Sequence, residues 1–184
     1  MIAEICGIVL DTFPMDNILV IIRKASTASM TQAMLHIALW EPEIPPNTGN
    51  IARLCAAAGA TLHLIGRLGF RLDDKSLRRA GVDYWPLVEW RRHATLTEFE
   101  ANLSNTRVFC FSAHGKIPYT QVAYQADDCL LFGGESHGLP ETLLKRNQER
   151  TIGIPMPGGK VRSLNLATAV GIAMYEALRQ IHRW

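Results

Sequence analysis

The 184-residue sequence predicts an α/β domain, a mostly parallel sheet flanked by helices. Short apolar runs rich in Ile, Leu, Val and Phe recur along the chain. Segments with helical apolar spacing lie between them, and Gly-, Pro- and Asn-rich turns follow the runs. Strands alternating with helices imply crossover connections, and hence a parallel sheet covered on both faces.

Residues 36–40 read as a buried strand. Pro45, Pro46 and Asn47 break it, and Asn47 or Thr48 can cap a helix whose Ile51, Leu54, Cys55 and Ala58 share a face. Gly59 closes that helix. Residues 61–65 form a second strand, and Asp73 caps a short helix through Arg79 that ends at Gly81. Thr95 and Glu98 make a capping box for another helix. Residues 107–112 and 129–132 are further strands. Pro140 opens a helix in its first turn, and residues 151–154 make a short strand. The last helix spans about 164–182, with Ser163 as its cap and Leu166, Ala167, Val170, Met174, Ala177, Leu178 and Ile181 on one face.

Residues 1–33 differ from this pattern. They hold a few apolar patches and the small polar stretch 25–29, and Met34 then offers a second start. They read as an N-terminal extension, mis-started or poorly ordered; a strand over 18–22 is the alternative. The domain proper is residues 34–184. No run has the length of a membrane span. The acidic Glu4, Asp11 and Asp16 have the wrong sign for a signal peptide. Cys55, Cys110 and Cys129 sit in apolar runs, as buried reduced thiols of a cytoplasmic protein do. Neither the cysteines nor the histidines have metal-ligand spacing, so no metal is expected. The formal charge of +2 does not announce a nucleic-acid partner. Any such surface must come from local clustering of Arg and Lys.

Three loops that follow strands carry the unusual residues, where ligands bind in open α/β sheets. The first, 41–50, leads to Arg53 on the second turn of the helix. The second, 132–140, contains Gly133, Gly134 and Gly138, which let a ligand approach the backbone. The third, 154–165, brings Lys160 and Arg162 to a helix start. It is no phosphate loop, because Ile154 and Val161 stand where Gly and Ser or Thr are required. Gly134-Glu135-Ser136-His137-Gly138 fits the nucleophile-elbow pattern of serine hydrolases. No Asp follows it, however, and the one later histidine, His182, shares a helix with Glu176.

Together the motifs resemble the SPOUT (SpoU-type) RNA methyltransferases. They are Pro45-Pro46-Asn47-Thr48-Gly49-Asn50-Ile51-Ala52-Arg53, Leu131-Phe132-Gly133-Gly134-Glu135-Ser136-His137-Gly138-Leu139-Pro140, and Ile154-Pro155-Met156 followed by Arg162-Ser163-Leu164-Asn165-Leu166. Residues 73–84 and the late Tyr175-Glu176-Ala177 are also similar. The likeness runs from Met34 to the C-terminus and is strongest for the small bacterial enzymes that methylate the tRNA wobble ribose.

This resemblance implies a C-terminal trefoil knot, a homodimer with the active site completed across the interface, and S-adenosyl-L-methionine as methyl donor. The matching cofactor-binding positions are Phe111, Gly133, Ile154 and Ser163. The matching catalytic positions are Arg53 and Tyr175. Glu135 and Asn165 are expected to shape the site. The implied substrate is a tRNA held by its anticodon stem-loop and methylated at a wobble cytidine or modified uridine; ribosomal RNA and a non-catalytic RNA-binding role are the alternatives. Phosphate contacts would come from Arg67, Arg71, Lys75, Arg78, Arg79, Arg91, Arg92 and His93, with His114 and Lys116 near the substrate.

Overall fold

The computed structural model describes residues 35–71 and 85–184. The expected extension over 1–33, the helix over 73–79 and the cations Lys75, Arg78 and Arg79 fall outside the described residues.

Among the described residues, seven strands form one sheet: β1 (His36–Trp40), β2 (Thr61–Ile65), β3 (Trp90–His93), β4 (Val108–Phe111), β5 (Ile117–Pro118), β6 (Cys129–Phe132) and β7 (Thr151–Gly153). The order is β3-β2-β1-β6-β4-β7-β5. Every described pair is parallel. The helices are α1 (Pro45–Ala58), α2 (Leu96–Asn102), α3 (Glu141–Arg146) and α4 (Leu166–His182). Side-chain alternation along the strands divides the core in two. Ile37 and Leu39 point to the face covered by Ile51 and Cys55 of α1 and by Val170, Met174 and Ala177 of α4. Ala38 points to the opposite face, with Cys110, Cys129 and Leu131, beneath Phe99 of α2 and Leu143 of α3. Burial pushes the Cys55 thiol up to about 12 and the Cys110 thiol up to about 11, as expected for inert packing residues.

Two strands escape the sequence reading. β3 is the sheet edge, and three of its four residues, Trp90, Arg91 and Arg92, are exposed, so it carries no apolar run. β5 is the other edge. It has two residues, one a proline that edge strands tolerate.

Three helix starts also differ from the expectation. Pro45 and Pro46 open α1 rather than break the chain before it. Their fixed φ suits a first turn, and their missing N–H groups cost nothing there. Pro140 is the N-cap of α3 rather than a residue of its first turn. Asn165, not Ser163, caps α4, its side chain accepting from Ala167 N (2.9 Å) and Thr168 N (3.3 Å). The capping box of α2 holds. Thr95 Oγ1 accepts from Glu98 N at 3.1 Å, and the Glu98 carboxylate reaches back to Ala94 N at 2.7 Å. Gly59 closes α1 at φ 66°, in the left-handed region that glycine enters without penalty.

Candidate active site

Parallel strands deliver their following loops to one edge of the sheet, so the turns after β4, β6 and β7 meet there. A cavity of about 630 Å³ lies among them. Its walls include Ser112, His114, Asn47, Glu135, Arg162 and Asn165, together with all four expected cofactor positions: Phe111, Gly133, Ile154 and Ser163. Phe111 and Phe132 end neighbouring strands in register, stack at 4.6 Å and both line the cavity. At Gly133 a side chain would run into the Gly138–Leu139 backbone, and at Gly134 into the Glu41 carbonyl. The second loop therefore takes a path that only glycine allows at these two positions.

A polar network ties the three loops together. Glu135 accepts from Glu43 N (2.8 Å), Ile44 N (3.3 Å) and Asn47 Nδ2 (2.8 Å). These bonds answer backbone donors just before α1, where Ile44 offers no capping side chain. Asn47 Oδ1 in turn accepts from Asn165 Nδ2 at 3.0 Å. The chain Glu135–Asn47–Asn165 thus passes through all three motif loops, and each member lines the cavity. The expectation that Glu135 and Asn165 shape the site has this geometric content. No sequence signal announces the link through Asn47, because nothing in one loop's sequence names its partner in another.

Ser136 does not have the surroundings of a hydrolase nucleophile. Its hydroxyl donates to Glu43 at 2.6 Å, carboxylate to hydroxyl, with no imidazole between them.

The expected catalytic pair is not among the residues that line the cavity. Arg53 is exposed on α1, and Tyr175 is 46% exposed on α4, its ring 6.5 Å from that of Trp184. Neither lines the cavity of its own chain. Among the expected phosphate contacts, Arg67, Arg71, Arg91 and Arg92 are exposed. His93 is not available for that role. It is 3% exposed, and its Nε2 is 2.9 Å from Nδ1 of His63, whose Nε2 is 3.0 Å from Nδ1 of His36. Among the described residues, no group of three His, Cys, Asp or Glu side chains could hold a metal ion, and no helix is long and apolar enough to cross a membrane.

Residues 34–175 match the model of the SpoU rRNA Methylase family. The chain belongs to the SpoU methylase family. This methylase is 46% identical over 149 residues to the tRNA (cytidine(34)-2'-O)-methyltransferase of Escherichia coli K12, covering 80% of this chain and 94% of that protein. It is 47% identical over 154 residues to the enzyme of the same name from Yersinia pestis, covering 80% and 94%. Its fold is similar to a solved structure described as "Structural insights into the 2-OH methylation of C/U34 on tRNA", with TM-score 0.78 and 51% identity over 83% of this chain and 99% of that one. It is also similar to the SpoU methyltransferase AviRb from Streptomyces viridochromogenes in complex with AdoMet, with TM-score 0.70 and 26% identity over 82% and 59%. The seven-stranded parallel α/β architecture of the methylase matches these structures.

Proposed function

We propose that this chain is a cytoplasmic tRNA 2′-O-methyltransferase that transfers a methyl group from S-adenosyl-L-methionine to the ribose of a wobble cytidine or modified uridine. The observation that carries this reading is the meeting of Phe111, Gly133, Ile154 and Ser163 on one cavity, in a chain 46% identical to a tRNA (cytidine(34)-2'-O)-methyltransferase across nearly that protein's whole length.

The cavity suits the cofactor. Its volume of about 630 Å³ is in the range of small-molecule sites. Glycine backbone supplies unshielded N–H and C=O groups for an adenine edge, and Phe111 and Phe132 supply apolar surface. Main-chain groups at Gly133, Ile154 and Ser163 would hold it, with the C-terminal knot of the family as their scaffold. Bound there, S-adenosylmethionine supplies an electrophilic methyl on a sulfonium. The protein's share is then alignment and management of charge on the ribose oxygen, and alignment can contribute about 7–11 kcal/mol.

A guanidinium stays protonated. Arg53 therefore acts by stabilising the developing alkoxide, not as a base. Its place outside the cavity of its own chain favours a homodimer in which Arg53, with Tyr175 beside the bound RNA, serves the cavity of the second copy. Exposed Arg67, Arg71, Arg91 and Arg92 supply phosphate contacts to the anticodon stem-loop.

The test is transfer of tritiated methyl from S-adenosylmethionine to tRNA and to ribosomal RNA, with the modified nucleotide mapped. Label is expected on the ribose of tRNA position 34. Arg53→Ala is expected to slow transfer by roughly 10²-fold with cofactor affinity unchanged. Label confined to ribosomal RNA would move the substrate assignment to that RNA, and no label on either would reject the enzyme.

A further inference from the structure

The second loop and the first exchange carboxylates. Glu135 reaches from one into the other, as described above. Glu43 reaches back, accepting from Ser136 N at 3.1 Å and Ser136 Oγ at 2.6 Å. The two residues differ in their relation to the cavity, which Glu135 lines and Glu43 does not.

We propose that Glu43 is a positioning residue for the cofactor site: by holding Ser136 it sets the place of the 134–138 wall. The inference rests on the reading of the cavity as the S-adenosylmethionine site. That wall is short and closes on itself through Gly138 N donating to Gly134 O at 2.9 Å, a hinge between two glycines. Glycine leaves such a segment many alternative conformations, so an unanchored tip loses order readily. Glu135 fixes the start of the tip and Glu43 its middle. Both bonds to Ser136 are charge-assisted and stronger than neutral ones. They also hold the Glu43 carboxyl below the usual carboxylate range, with His137 nearby adding to the effect.

Calorimetric titration of the full chain with S-adenosylmethionine tests this, with thermal midpoints recorded beside it. Glu43→Ala is expected to weaken binding about tenfold, and Ser136→Ala about threefold because the backbone N–H bond survives. Glu43→Gln, which still accepts, should fall between Glu43→Ala and the unaltered chain. The double variant Glu43→Ala/Ser136→Ala should bind no worse than Glu43→Ala alone, since both changes remove one interaction. In turnover, KM for the cofactor should rise while KM for tRNA stays.

Unchanged cofactor affinity in Glu43→Ala overturns the proposal, whatever happens to the thermal midpoint. So do additive losses in the double variant. If Glu43→Ala does not fold, Ser136→Ala and Glu43→Gln decide, and wild-type affinity in both overturns it. Failure of the unaltered chain to bind S-adenosylmethionine is a separate result, which rejects the cofactor reading itself.

Discussion

Asn165 serves two structures with one amide. Its oxygen caps α4 and its nitrogen donates to Asn47. Asn165→Ala removes both and is expected to cost about 1–2 kcal/mol of stability, measured by urea unfolding. Asn165→Asp separates the roles. A carboxylate caps a helix N-terminus as well as an amide does, but it turns an acceptor toward Asn47 Oδ1. Stability should return to near the unaltered value while affinity for S-adenosylmethionine falls below that of the unaltered chain; unaltered affinity would show that the link to Asn47 has no bearing on the cavity. The sequence pointed to Ser163 as the cap, and the structure places Asn165 there. Its nitrogen meets a partner 118 positions away, and one loop read by itself cannot show that. Phe111, Gly133, Ile154 and Ser163 were named through the family resemblance, Phe111 as the end of a strand and the other three from the motif loops, and all four line one cavity. Glu43 was not, because its meaning is a contact with Ser136.

At the scale of the element, the β1–β2–β3 end of the sheet carries a ladder of three buried imidazoles, His36, His63 and His93, with Phe99 edge-on against the last two. Burial lowers all three, and His63 falls to about 3, with its neighbouring histidines and Arg91 adding to the effect. Asp127 pulls His36 the other way, as Glu98 does His93. In the unfolded chain a histidine titrates near 6.5. The unfolded state therefore binds more protons than the folded one below that pH, and stability must decline as pH falls from about 6.5 toward 3. Between about 6.5 and 5 the carboxylates hardly contribute, because Glu43 and Glu176 are held low by their partners and an unfolded Glu titrates near 4.3. His63→Leu should be less stable at neutral pH and show a shallower decline across that window in urea titrations. An unchanged slope would mean that His63 binds protons in the fold as readily as in the unfolded chain. The strands that carry the ladder were unequally visible. β1 and β2 are apolar runs, but β3, written Trp-Arg-Arg-His and exposed over three of four residues, has the composition of a protected sheet edge and gave no signal.

For the whole molecule, the separation of Arg53 from the cavity of its own chain has a direct test. If the site is shared between two copies, Arg53→Ala and Gly133→Ala damage different halves of it. Each homodimer is then inactive, while a mixed dimer retains one intact site. Mixing the two variants after denaturation and joint refolding should restore about a quarter of the activity. No recovery would place Arg53 and the cavity in the same subunit. The α/β class and the parallel sheet were readable because alternation of strand and helix is a property of the entire chain.

The cavity draws its walls from positions as distant as Ile44 and Ala169. No early fragment of the chain contains all of these walls, and α4 supplies the last of them, Leu166 and Ala169. A growing polypeptide therefore lacks this cavity until residues through Ala169 have been made. A ligand in this cleft cannot guide the first steps of folding; it can only hold the finished protein closed.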